Sequence, residues 1–143
     1  MRPYLLDVNV LLALSMPTHS HHLSATAWFD EGDFEWATTP MTEAGFLRLT
    51  TNPQVTGMLI TAAQAVLVLQ ELREAPGFRF LPDDSSLADP VIDLGPLAGS
   101  KQITDFHLVN LAARAGMRLA TFDGALERSL SDADRWHVFV IED

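Results

Sequence analysis

The sequence predicts an α/β domain built on a mainly parallel sheet of four to five strands flanked by helices. Three observations point there. Short apolar runs of strand length alternate with segments of helical periodicity. The connections between them are short, apart from one proline-rich stretch. A chain of 143 residues with 48% apolar and 20% charged content has the size and balance of one domain with its own core, here taken to span residues 1–143.

The opening run Pro3-Tyr4-Leu5-Leu6 reads as a buried strand and residues 8–14 as an apolar helix, which leaves Asp7 at the carboxyl end of the strand. Open α/β sheets place their ligands at such ends. A second helix is expected over 23–30 and a short strand over 34–37. A third helix follows over 41–49, with Thr39 as N-cap, Pro40 in its first position and Glu43 in its first turn. Residues 60–74 carry Ala62, Val66 and Leu69 at helical spacing, closed by Ala75-Pro76-Gly77, and 78–81 is strand-like. Residues 82–100, with three prolines and two glycines, are the least regular. Thr104 is expected to cap a helix running to Ala115, with Asp105 in its first turn and Gly116 ending it. A strand over 118–121 brings the chain to Asp123, a helix over 124–130 follows, and a last strand covers 138–141.

Composition narrows the chemistry. Without cysteine there is neither a disulfide framework nor a thiol nucleophile nor a cysteine-based zinc site, a usage that suits the reducing cytoplasm. Asp7 and Asn9 interrupt the early apolar stretch that a leader peptide would need intact, and no run approaches the roughly 20 apolar residues of a membrane span. The balance of 19 acidic against 9 basic residues, a net charge of -10, is the wrong sign for a protein that holds nucleic acid by a basic groove.

On this layout Asp7 and Asp123 each follow a buried strand, and Glu43 and Asp105 each lie in the first turn of a helix, so four carboxylates can converge on one edge of the sheet. Such a cluster repels itself unless a cation occupies it, and oxygen-only ligands favour magnesium or manganese. A hard divalent ion so held suits hydrolysis of a phosphodiester. Each residue also has a plainer explanation: Asp105 and Glu43 stabilise a helix N-terminus, Asp123-Gly124 makes a turn, and Asp7 caps the helix that follows it. Their common placement favours the shared site.

The chain resembles the PIN-domain ribonucleases, and among them the VapC-type toxins of bacterial toxin-antitoxin pairs. The resemblance rests on Leu5-Leu6-Asp7-Val8-Asn9-Val10-Leu11-Leu12, on Thr42-Glu43-Ala44-Gly45-Phe46-Leu47-Arg48-Leu49-Thr50-Thr51-Asn52-Pro53, and on Ile103-Thr104-Asp105 with Leu119-Ala120-Thr121-Phe122-Asp123. It implies a PIN-like three-layer fold and metal-dependent endonuclease cleavage of RNA. It further implies Asp7, Glu43, Asp105 and Asp123 as the catalytic and metal-holding set, with Mg2+ or Mn2+ as cofactor. Asn9 and Thr121 match positions where that family places polar residues supporting the ligands. The resemblance also implies a cognate antitoxin and a homodimer.

Other residues carry less. His19, His21 and His22 are expected in a solvated loop and are given no site, His107 and Asn110 are expected on their helix surface, and Arg48 is expected either to pair with an acidic neighbour or to contact a phosphate. Trp28, Trp36 and Trp136 are expected in the core or an interface. The apolar faces of 8–14 and 60–74 suit core packing or a partner groove. Two alternatives belong to other classes. In an aspartate-based phosphatase or phospho-acceptor domain Asp7 would be the nucleophile, but Asn9 offers no acid and the sole lysine, Lys101, follows Gly-Ser instead of ending a strand. A non-catalytic interaction module on the same fold would suit a chain lacking one of the four carboxylates, and none is missing.

Overall fold

The apolar runs pair edge to edge because their backbone polar groups must be satisfied where their side chains are buried. The computed structural model describes residues 3–143. Met1 and Arg2, the start of the domain span and of the stretch weighed as a leader, lie outside the described residues. The elements run β1 (Tyr4–Leu6), α1 (Val8–Ser15), α2 (His22–Glu31), β2 (Trp36–Thr38), α3 (Pro40–Thr50), α4 (Pro53–Thr56), α5 (Ala62–Leu72), β3 (Phe78–Phe80), a 3-10 turn (Ser100–Gln102), α6 (Ile103–Arg114), β4 (Arg118–Thr121), α7 (Gly124–Ser129), a second 3-10 segment (Asp132–His137) and β5 (Val138–Val140). The five strands form one sheet in the order β3-β2-β1-β4-β5, and every pairing is parallel.

Alternation along β1 sorts the core into two layers. Leu5 points into one cluster with Phe106, Val109 and Leu111 of α6, and Leu126 of α7. Tyr4 and Leu6 point into the other, with Val10 and Leu11 of α1, Phe46 of α3 and Leu69 of α5. Helices therefore cover both faces, the three-layer arrangement expected. Leu5, Leu6, Leu11, Phe46, Phe106 and Leu119 are fully buried.

Several local expectations change. The helix carrying Asp105 starts at Ile103 with Gln102 in the capping position and no side-chain cap, so Thr104 lies inside the first turn, exposed. The extra 3-10 turn at Ser100–Gln102 feeds the backbone straight into α6, which removes the need for a threonine cap. The helix expected over 60–74 is shorter, Ala62–Leu72, because Thr61 and Gln64 form a capping box at its start. Asn110 is buried, not a surface residue: its carbonyl accepts the Val91 N–H at 2.8 Å and its amide donates to the Ser86 carbonyl at 3.4 Å. His107 is likewise mostly covered, its Nε2 2.8 Å from Asp83 Oδ2. These contacts fasten the irregular segment between β3 and α6 onto α6. Trp36 joins the core as expected, while Trp136 is 55% exposed beneath the Arg118 guanidinium, 4.2 Å from its ring centre. Arg48 makes no ion pair with an acidic neighbour among the described residues.

Candidate active site

The strand order reverses between β1 and β4. After β1 the chain builds β2 and β3 on one side, then crosses back to lay β4 and β5 on the other. The carboxyl ends of two such neighbours leave a crevice that the connections cannot fill. Asp7 leaves β1 and Asp123 follows β4 at this point, where Leu6 and Ala120 are register partners.

Asp7 is 8% exposed and caps α1. Its Oδ1 accepts the Val8 N–H at 2.8 Å, and its Oδ2 accepts the hydroxyl of Thr121 at 2.8 Å. The fully buried Thr121 is a hub: its oxygen accepts from Asn9 Nδ2 at 3.1 Å and from the Asp123 N–H at 3.1 Å. Asn9 closes the network by accepting the Phe122 N–H at 3.3 Å. Asp123 caps α7 through the Leu126 N–H, 3.2 Å from Oδ1. Capping and membership of the cluster are thus the same geometry: an N-cap carboxylate at a strand end is aimed by its helix.

Asp105 reaches the same edge from the first turn of α6, partly buried. Burial, and then the charges of Asp7 and Asp123, push its proton affinity up to a pKa of about 6. Burial also raises Asp7, with the Asp123 charge adding to it and the bonds from Thr121 and Val8 acting against it. Asp7, Asp105 and Asp123 therefore stand in one electrostatic field, and no cationic side chain among the described residues forms an ion pair with any of them.

Glu43 has partners of its own. It sits in the first turn of α3, whose N-cap Thr39 donates its N–H to Thr42 Oγ1 at 3.1 Å. Its Oε2 accepts from the Thr38 hydroxyl at 2.5 Å and from Arg73 Nη1 at 3.3 Å. It is not among the charges that raise Asp7 or Asp105. Among the described residues, no three His, Cys, Asp or Glu side chains stand gathered around a metal position. Asp7, Asp105 and Asp123 thus act on one another through their charges, while Glu43 is paired with Arg73. Sequence reasoning missed Thr38 and Arg73. Thr38, the last residue of β2, was open to inference from its strand-end position, whereas Arg73 carried no local signal.

His21 and His22 are partly exposed but fastened at the start of α2, not loose in a loop. His21 stacks on Phe122 at 4.3 Å and lies 2.7 Å from Asp143 Oδ1, and His22 Nδ1 is 2.6 Å from the Ala13 carbonyl. Replacing the hub tests the network directly. Thr121→Val keeps the shape but leaves Asn9 Nδ2 and the Asp123 N–H without their acceptor. It is expected to cost roughly 1 to 3 kcal/mol in urea denaturation, and an unchanged midpoint would show the network to be slack.

A parallel sheet wound both ways from its β1/β4 switch point, with Asp7 and Asp123 following those two strands, defines an open α/β domain. The PIN domain family matches residues 4–129, and relatives resemble the chain over most of its length. Ribonuclease VapC38 of Mycobacterium tuberculosis (strain ATCC 25618 / H37Rv) is 48% identical over 123 residues, 85% of this chain and 86% of the relative. Ribonuclease VapC39 of Mycobacterium tuberculosis (strain CDC 1551 / Oshkosh) is 44% identical over 129 residues, 89% and 93% of the two chains. The chain belongs to the PIN-domain family, in its VapC branch. The crystal structure of Mycobacterium tuberculosis VapC20, described as a sarcin-ricin loop cleaving toxin, superposes with a TM-score of 0.61 over 88% of this chain and 94% of that one, at 12% identity, a likeness of fold.

Proposed function

We propose that the protein is a divalent-metal-dependent endoribonuclease, the toxin of a toxin-antitoxin pair. One observation carries this: Asp7 and Asp123 follow neighbouring strands at the β1/β4 switch point and are joined through Thr121, Asp105 lies within their field, and among the described residues no cation is paired with any of the three. The family and its VapC ribonucleases supply the substrate class.

The donor set fits a hard ion. All three groups are carboxylates, and their uncompensated charge is what a divalent cation relieves. Asp7, Asp105 and Asp123 would hold Mg2+ or Mn2+, and Glu43 is the fourth member of the proposed catalytic set. The chemistry a divalent ion supplies there is compensation of phosphodiester charge and acidification of water. Thr121 and Asn9 keep Asp7 and the strand after β4 in place, and the N-termini of α1 and α7 hold Asp7 and Asp123 by N–H donation. The aspartate-nucleophile alternative is not favoured. Both oxygens of Asp7 are engaged, Asn9 offers no acid, and Lys101 lies exposed on the turn before α6.

RNA, a cognate antitoxin and a second copy of the chain are the proposed partners, and the cytoplasm the proposed compartment. No helix among the described residues is long and apolar enough to cross a membrane. The acidic balance makes metal, not a basic groove, the bridge to RNA. The test is incubation of the isolated protein with total RNA, with the cut ends sequenced. Discrete internal cuts that need Mg2+ or Mn2+ and stop in chelator are expected. Cleavage undiminished by chelator would refute the metal-dependent mechanism.

A further inference from the structure

The arginine on Glu43 is the feature of this site that the proposed mechanism leaves unused. Arg73 caps the C-terminus of α5, where a cation is favoured by the helix dipole. Its guanidinium lies over two aromatic faces of β3, 4.7 Å from the centre of Phe78 and 5.4 Å from that of Phe80. From that shelf it reaches Glu43 Oε2 at 3.3 Å, the same oxygen that takes the Thr38 hydroxyl at 2.5 Å. The Glu43 side chain is 15% exposed and that of Arg73 39%, so the acid is covered while the arginine borders solvent. In a chain with 19 acidic and 9 basic residues, one of the few cations is placed on a member of the candidate site, and among the described residues the three aspartates have none.

We propose that Arg73 is a positioning residue that holds the Glu43 carboxylate in competition with an ion and thereby sets the affinity of the site for divalent metal. A guanidinium and a divalent ion compete for the same carboxylate charge. While Arg73 and Thr38 hold Oε2, that oxygen is already engaged when an ion approaches. Withdrawal of Arg73 makes a fourth carboxylate available to the ion. The inference rests on the metal-dependent function proposed above and concerns how that site is regulated.

The experiment is Mn2+ titration of the full chain, following free Mn2+ by electron paramagnetic resonance, for wild type, Arg73→Gln, Arg73→Lys, Glu43→Gln and the Arg73→Gln/Glu43→Gln double variant. Arg73→Gln is expected to bind Mn2+ about tenfold more tightly than wild type. Arg73→Lys, which keeps the charge but not the planar stack, is expected to lie between the two. In the Glu43→Gln background the gain from Arg73→Gln should shrink below about threefold, since only screened, longer-range repulsion is then removed. Thr38→Val, which releases the other bond to Oε2 without touching α5, should also tighten binding and serves if Arg73→Gln does not fold. Equal gains in both backgrounds would reduce Arg73 to a general surface charge and overturn the proposal, as would no gain from Arg73→Gln or Thr38→Val. If wild type binds no Mn2+ at all, the metal-dependent function itself fails. Binding that ignores Arg73 removes only this inference.

Discussion

Asp7→Asn is expected to lower RNA cleavage by more than about 100-fold while leaving the fold close to wild type. Loss of a supporting partner of a metal ligand already costs roughly 10- to 100-fold, and here a ligand's own charge is removed. Stability is expected to change little because two effects oppose. The amide oxygen can still accept the Val8 N–H, but an NH2 then faces Thr121, whose oxygen already accepts from Asn9 and from the Asp123 N–H. That mismatch costs on the order of 1 to 2 kcal/mol. Against it, a carboxylate whose ionised form is disfavoured by burial and by Asp123 is replaced by a neutral group. Cleavage assays with Mg2+, together with thermal melting, check both halves. Full activity in a folded Asp7→Asn protein would remove Asp7 from the site.

In chelator, Asp105→Asn should melt at or above the wild-type temperature, and the difference should depend on pH in one direction. The folded-state pKa of Asp105, about 6, lies above the ordinary value of 3.8, so the folded protein binds more protons than the unfolded chain between those limits. The penalty is therefore fully present above about pH 6 and lifts as the pH falls toward 4. Between pH 7.5 and pH 5 wild type should gain up to roughly 1 kcal/mol relative to the variant, discounted for the solvent that still reaches this half-buried group. Added Mn2+ should stabilise wild type more than the variant, since binding to the folded state adds to its stability. If Asp105 serves only the N-terminus of α6, the substitution should instead cost up to about 1 kcal/mol at neutral pH, whether or not metal is present. Measuring the difference between the two proteins cancels the titrating groups that do not interact with Asp105.

What was legible in the sequence is what depends on neighbours in the chain. Apolar runs of strand length alternating with helical spacing specify a parallel α/β sheet, because a strand buried on both faces must be apolar throughout and its helices must return the chain to the starting edge. Asp7 and Asp123 could be placed because each directly follows such a run, and Glu43 because Thr39 and Pro40 announce a helix start. Where the signal was weak the expectation failed. Thr104 looked like a cap until the 3-10 turn at Ser100–Gln102 moved the helix start back, and Asn110 and His107 looked like surface residues until the segment between β3 and α6 folded over them.

Only the tertiary structure decided the electrical character of the site. Pairing of β1 with β4 set Asp7 beside Thr121 and Asp123, and α6 delivered Asp105 into their field, which raised two proton affinities by burial and like charge. Contact between α3 and α5 set Arg73 on Glu43, 30 residues away in the chain, and so distinguished three carboxylates that share a field from one paired with arginine. Desolvation and charge pairing depend on distances across the fold, which no local pattern of residues encodes. The sequence by itself therefore determined which acids lie on the strand-end edge, and the packing of helices that are distant in the chain determined which of them bear on one another.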